Sequence, residues 1–128
     1  MITVLVFAGE YDLCCKRELR AELDALVDEP DVVLDFTNVT FIDSTCPSEL
    51  IRLHDARERN ELPRVAIVVK PDDAIARLLS IVGMDAVFRL HDTLDATIPK
   101  NGETAQIRYA FSGPTEGLEA EYSHLQRA

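Results

Sequence analysis

Two runs in this chain, Val32-Val33-Leu34-Asp35-Phe36 and Val65-Ala66-Ile67-Val68-Val69, are too continuously apolar for a strand wetted on one face. Such strands need cover on both sides, and a sheet obtains it when helices cross over between parallel strands. The sequence around them supplies those helices. Cys15, Leu19, Leu23 and Leu26 recur at the spacing of one helix face, and Pro30 parts them from the first run. Beyond a loop marked by Asn38, Pro47 suits a first helical turn, and Leu50, Leu53 and Arg57 carry that helix towards Asn60. Pro71, Asp72 and Asp73 start another helix, with Ile75, Leu78, Leu79 and Val82 as its buried stripe and Gly83 as its stop. Short strands at 2–7, ended by Ala8-Gly9, and at 86–90 flank the pattern. The expectation is an α/β fold, a mostly parallel sheet of four to five strands with packed helices and right-handed crossovers.

Composition removes several classes of function. At 128 residues and 47% hydrophobic content the chain suits a single domain with one core. No apolar run approaches the roughly 20 residues of a membrane span, and residues 2–8 lack the basic flank of a signal peptide. A cytoplasmic protein without membrane contact is expected. The net charge of −10, with no basic cluster to offset it, argues against direct nucleic-acid binding and favours a protein partner or small ligand. Three cysteines, two of them adjacent at Cys14 and Cys15, make no even disulfide framework and suit a reducing compartment. Neither Gly-x4-Gly-Lys-[Ser/Thr] nor Gly-x-Gly-x2-Gly is present, so no cofactor is expected. His54, His91 and His124 are scattered and match no zinc spacing, so no metal is expected either. Arg57 and Arg59 with Asp55 and Glu58 read as a solvated mixed-charge face. Leu78, Leu79, Ile81 and Val82 read as core, with part of that face open to weak self-association.

One loop carries the chemistry. In Phe41-Ile42-Asp43-Ser44-Thr45-Cys46-Pro47, adjacent hydroxyls stand at a helix start, where unpaired N–H groups and the helix dipole favour a phosphoryl group. The loop can bind phosphate, perform chemistry, or accept phosphorylation. Asp43, Ser44 and Thr45 are also good helix caps. With Pro47 as first helical residue, Cys46 becomes the cap, Glu49 takes the third position and Thr45 stays just outside. Cys46 and Arg52 have the Cys-x5-Arg spacing of cysteine phosphatases, and a thiolate at a helix start can be activated. Against that reading, Cys14 and Arg20 share the spacing by accident, Pro47 deletes a phosphate-cradling amide, and Glu49 brings a like charge.

Taken in order, Gly9-Glu10-Tyr11-Asp12, Val33-Leu34-Asp35-Phe36, Val39-Thr40-Phe41-Ile42-Asp43-Ser44-Thr45 and Pro71 through Arg77-Leu78-Leu79 to Gly83-Met84-Asp85 resemble a STAS domain of the bacterial anti-sigma factor antagonists, over residues 2–95. The resemblance implies a non-enzymatic regulator. Unphosphorylated, it binds an anti-sigma factor of the serine-kinase type and so frees a sigma factor for transcription; phosphorylation breaks that complex. It also implies Thr45 as phosphoacceptor, with Ser44 second, and a role for Asp12 in shaping the kinase contact. The partner surface expected around them comprises Asp12, Asp43, Ser44, Thr45, Cys46 and Glu49. A phosphate there adds about −1.5 to −2 charges beside Asp43. The alternative within the same family is a docking module that is never phosphorylated, in a signalling or transporter-associated complex.

Departures from the family are equally specific. Where members continue with Gly-Leu-Gly, this chain has Cys46-Pro47-Ser48, which predicts a stiffer and less open loop. Members carry a strand pair before the Gly-Glu-x-Asp turn, whereas Met1 to Ala8 suffice for one strand. The expected division is a STAS domain at 1–98 and an extension at 99–128. In that extension Pro99-Lys100-Asn101-Gly102 reads as a turn, and Ile107, Tyr109 and Phe111 alternate like a strand that returns to residues 2–7 and covers the sheet edge. Beyond Gly113-Pro114 a weak helix or a mobile tail is expected.

Overall fold

The computed structural model describes residues 1–98, 104–110 and 122. Its elements are β1 (Ile2–Tyr11), α1 (Lys16–Asp24), β2 (Asp31–Ile42), α2 (Thr45–Arg59), β3 (Ala66–Val68), α3 (Ala74–Ile81), β4 (Arg89–His91) and β5 (Ala105–Tyr109). All five strands are parallel, in the order β4-β3-β2-β1-β5. The α/β architecture read from the apolar runs is the one the chain adopts.

Alternation along the strands divides the interior in two. Leu5, Phe7, Leu34, Phe36 and Ile67 face a core completed by Leu19 and Leu23 of α1, Leu50 and Leu53 of α2, and Leu79 of α3. Val4, Val6, Val33, Ala66 and Val68 face the other way, alongside Ile107 of β5, where Tyr122, Leu94 and Ile98 pack on them. Both sides of the central strands are therefore covered, each fully buried aliphatic side chain contributing about 1.5–3 kcal/mol.

The first two strands run further than their apolar patterns suggest. β1 passes through Ala8 and Gly9 to the buried Tyr11, with Gly9 at φ +87°, a conformation that costs glycine little. β2 continues past Asn38 to Ile42 and slips against β1 twice, so that Val6 and Ala8 face Asp35 and Asn38, then Gly9 and Glu10 face Val39 and Phe41. Each slip inserts an extra residue into β2. As a result Phe36, Val39 and Ile42, three residues apart, all reach the helix-side core.

Other boundaries shift for local reasons. Asp73 caps α3 by accepting from the N–H groups of Ile75 (2.6 Å) and Ala76 (3.1 Å), and Gly83 ends it in the left-handed region at φ +81°. Val82 and Ile81 are not core, being 45% and 80% exposed. Arg57 is not solvated either. It is buried in the last turns of α2, and its guanidinium donates to the carbonyls of Leu26 (3.0 Å), Glu29 (2.5 Å), Pro30 (3.2 Å) and Pro63 (3.1 Å).

β5 lies beside β1 in register from Ile2 opposite Ala105 to Val6 opposite Tyr109. The turn expected at residues 99–102, the place of Phe111, and the helix or tail expected beyond 113 lie outside the described residues, Tyr122 excepted. Among the described residues no helix is long and apolar enough to cross a membrane.

Candidate functional site at the ends of the first two strands

β1 and β2 end side by side, and Asp43 stitches the two loops that follow. Its Oδ1 accepts from the Thr45 N–H at 2.8 Å and its Oδ2 from the Leu13 N–H at 3.1 Å, while its own N–H donates to the Tyr11 carbonyl at 3.3 Å. Desolvation pushes the Asp43 carboxyl up, but hydrogen bonds from the Thr45 N–H and hydroxyl and from the Leu13 N–H outweigh it and hold the group below its ordinary value.

Those bonds show which residue starts α2. Ser44 already has helical angles, φ −64° and ψ −15°, and makes no side-chain cap bond. Asp43 is therefore the residue that caps, two positions before the N–H it accepts. Cys46 is not the cap expected from the sequence, and Thr45 is inside the helix rather than just outside it. Pro47 is tolerated because the Asp43 carbonyl, which a residue-47 N–H would reach in a helix, accepts from the Cys46 N–H instead, at 3.3 Å.

The expected site residues separate into two sets. Asp12, Asp43, Ser44 and Thr45 gather at this end of the sheet, with Ser44 exposed and the other three half-buried. The Asp12 carboxylate is occupied locally, accepting from the Cys14 N–H at 2.9 Å, so that Leu13 rather than Asp12 is joined to Asp43. Cys46 and Glu49 lie below the surface and present nothing to a partner in this arrangement. Glu49 is bound by Arg20 of α1 at 2.6 Å, and this hydrogen bond, against the cost of desolvation, holds its carboxyl below the ordinary value.

The phosphatase reading is corrected by the same geometry. Cys46 is 1% exposed in the core, and burial pushes its thiol up to about 12, so it carries no thiolate at neutral pH. Arg52 points to solvent and pairs with Asp24 at 2.5 Å. The Cys-x5-Arg spacing brings together no nucleophile and phosphate clamp. Further along α2, potential ligand atoms of His54, Asp55 and Glu58 lie within 4.8 Å of one another, a grouping the scattered histidines did not suggest. His54 Nε2 is 3.0 Å from Glu58 Oε2, the ordinary spacing of side chains one helical turn apart.

A feature with no signal in the sequence adjoins the hydroxyls. An open cleft of about 570 Å³ runs between α2 and α3, with Asp43, Ser44 and Ser48 at its polar margin. Ile42, Pro47, Ile51, Leu78, Val82 and Met84 form its apolar lining. Leu78 and Val82 belong to the stripe read as core, and helical spacing alone does not distinguish a core stripe from a groove wall. Leu13, 67% exposed, flanks the stitched loops from the other side.

Solved proteins share this architecture. The anti-sigma factor antagonist SpoIIAA in its unphosphorylated form aligns with a TM-score of 0.55 and 16% identity over 73% of this chain and 83% of its own. The phosphorylated form of the Bacillus protein aligns at 0.52 and 15%, covering 73% and 86%. A Thermotoga maritima protein, to which an anti-sigma factor antagonist role is ascribed, gives 0.61 and 17% over 71% and 82%. A sulfate transporter family protein from Wolinella succinogenes gives 0.58 and 19% over 75% and 80%. At such identities the likeness is one of fold. No curated protein matches this chain in sequence. The model of the STAS domain matches residues 1–97, the span from β1 through the turn after β4 that holds the Asp43 loop, and the chain belongs to the STAS domain family.

Proposed function

We propose that this protein is an anti-sigma factor antagonist: a cytoplasmic binding module, not an enzyme, that docks an anti-sigma factor of the serine-kinase type. Phosphorylation of Thr45, or of Ser44 as second choice, releases it and so regulates sigma-factor-dependent transcription. The observation that carries the reading is the placement of the two hydroxyls. They open α2 beside Asp43, and Ser44 stands at the margin of the apolar cleft, so that a partner seated on that cleft covers Ser44 and reaches the start of the helix that holds Thr45. A phosphate at that point adds about −1.5 to −2 charges next to an ionised carboxylate and in front of apolar surface, which opposes the docked state. SpoIIAA, similar in fold, has been solved with and without its phosphate.

A second reading, a docking module that is not phosphorylated, is favoured by one detail. Thr45 is half-buried, and both its N–H and its hydroxyl are turned to Asp43, so a kinase has to open the cap to reach it. The test is to incubate the protein with ATP and the kinase-type anti-sigma factors of its own genome, and to locate phosphate by mass spectrometry. Phosphate on Thr45, absent from Thr45→Ala, is the expected result. Binding without modification supports the docking reading, and absence of both sinks the antagonist assignment.

A further inference from the structure

Asp35 is buried in the middle of β2 on the face opposite the helix-side core, and both its carboxylate oxygens are engaged. Oδ1 accepts from the Thr37 N–H at 2.9 Å and the Thr37 hydroxyl at 2.8 Å. Oδ2 accepts from the Tyr122 hydroxyl, which in turn accepts from Asn38 Nδ2 at 3.3 Å. Thr37 lies within the first of the two β2 slips, between Asp35 opposite Val6 and Asn38 opposite Ala8. One carboxylate thus ties the bulge with one oxygen and the C-terminal part of the chain with the other.

We propose that Tyr122 is a positioning residue for the Asp43 loop, acting through Asp35 and the bulge that Asp35 holds in β2. The bulge contributes to bringing Val39 and Ile42 to the helix side, because a strand without its extra residue turns every later side chain to the opposite face. Ile42 immediately precedes Asp43, so the register fixed at Thr37 sets where the cap of α2 stands. Withdrawing the phenol leaves a buried carboxylate oxygen without its donor, and a group in that condition seeks another partner or water. The oxygen it disturbs belongs to the side chain that fixes Thr37. Tyr122 lies past residue 97, outside the matched STAS span, so a segment added to the domain controls the order of the loop the domain uses. This holds whether or not Thr45 is phosphorylated.

The test is amide hydrogen exchange on the full chain carrying Tyr122→Phe, which keeps the ring against Tyr109 and removes only the hydroxyl. Exchange is expected to quicken about five- to tenfold at Thr37, Thr45 and Leu13, the loss of about one hydrogen bond, with Leu50 and Leu53 in α2 unchanged. Asn38→Ala, which removes a second polar contact to the hydroxyl and leaves Asp35–Thr37 intact, is expected to move the same amides less. Quickening confined to residues 104–110 and the neighbourhood of 122, a uniform change at all amides, or no change would each overturn the proposal.

Discussion

The two ends of the sheet are held by opposite charges used in opposite ways. Where β2 and β3 begin, the buried guanidinium of Arg57 collects four backbone carbonyls from the loops on either side of it. Where β1 and β2 end, the half-buried carboxylate of Asp43 collects two backbone amides. Both charges substitute for hydrogen bonds that loops cannot make among themselves. The difference is water: the Arg57 end is sealed, whereas the Asp43 end faces solvent and is the easier of the two to open.

Substitution at the sealed end is expected to do the most damage. Arg57→Ala leaves several buried carbonyls without donors and a cavity beneath α2, and should lower the unfolding free energy by about 3–5 kcal/mol in urea titration. A loss below about 1 kcal/mol would erase the contrast between the ends. Asp43→Ala is expected to cost less, the loss of a helix cap, and to free the Leu13 and Thr45 amides to exchange while the Arg57 end keeps its protection.

In the second turn of α2, Glu49 offers a pH test. Its carboxyl is held down chiefly by the Arg20 hydrogen bond, so its contribution is present above the ordinary glutamate value and is lost as pH falls through the lower folded value. Glu49→Gln should therefore cost about 1 kcal/mol at neutral pH, because Arg20 is largely solvated, and the gap from the unsubstituted protein should close as pH falls through that lower folded value. A gap unchanged down to pH 2 would remove ionisation of Glu49 from the account. Smallest of all, Ser44→Ala should stay within about 0.5 kcal/mol, since this exposed side chain makes no cap bond. A larger loss would mean that the Ser44 hydroxyl shares the capping role given to Asp43.

What the sequence revealed followed the periods of its side chains. Runs 32–36 and 65–69 announced parallel, doubly covered strands, and Leu19, Leu23, Leu50 and Leu53 announced the helices over them, because burial there repeats at the strand or helix period. The far half of β2 was hidden by its bulges, which convert an alternation of two into a spacing of three at Phe36, Val39 and Ile42. Arg57 was hidden for a different reason: its charge fits a solvated helix face, and only the fold shows the carbonyls converging on it. The Asp43 loop was legible as a place, through its adjacent hydroxyls and its likeness to a known motif. Its capping arrangement was not, nor was the cleft beside it, since both depend on elements brought together from elsewhere in the chain.

β5 also bears on how the molecule is made. Ile2 pairs with Ala105, roughly a hundred residues further along the chain, and contacts of such separation slow folding. Until residues 105–109 have left the ribosome, β1 has β2 on one side and a bare edge on the other. A nascent chain in that state displays an apolar strand with unsatisfied amides to every neighbouring polysome. The sheet can gain its first strands early in synthesis, but protection of the β1 edge waits for β5.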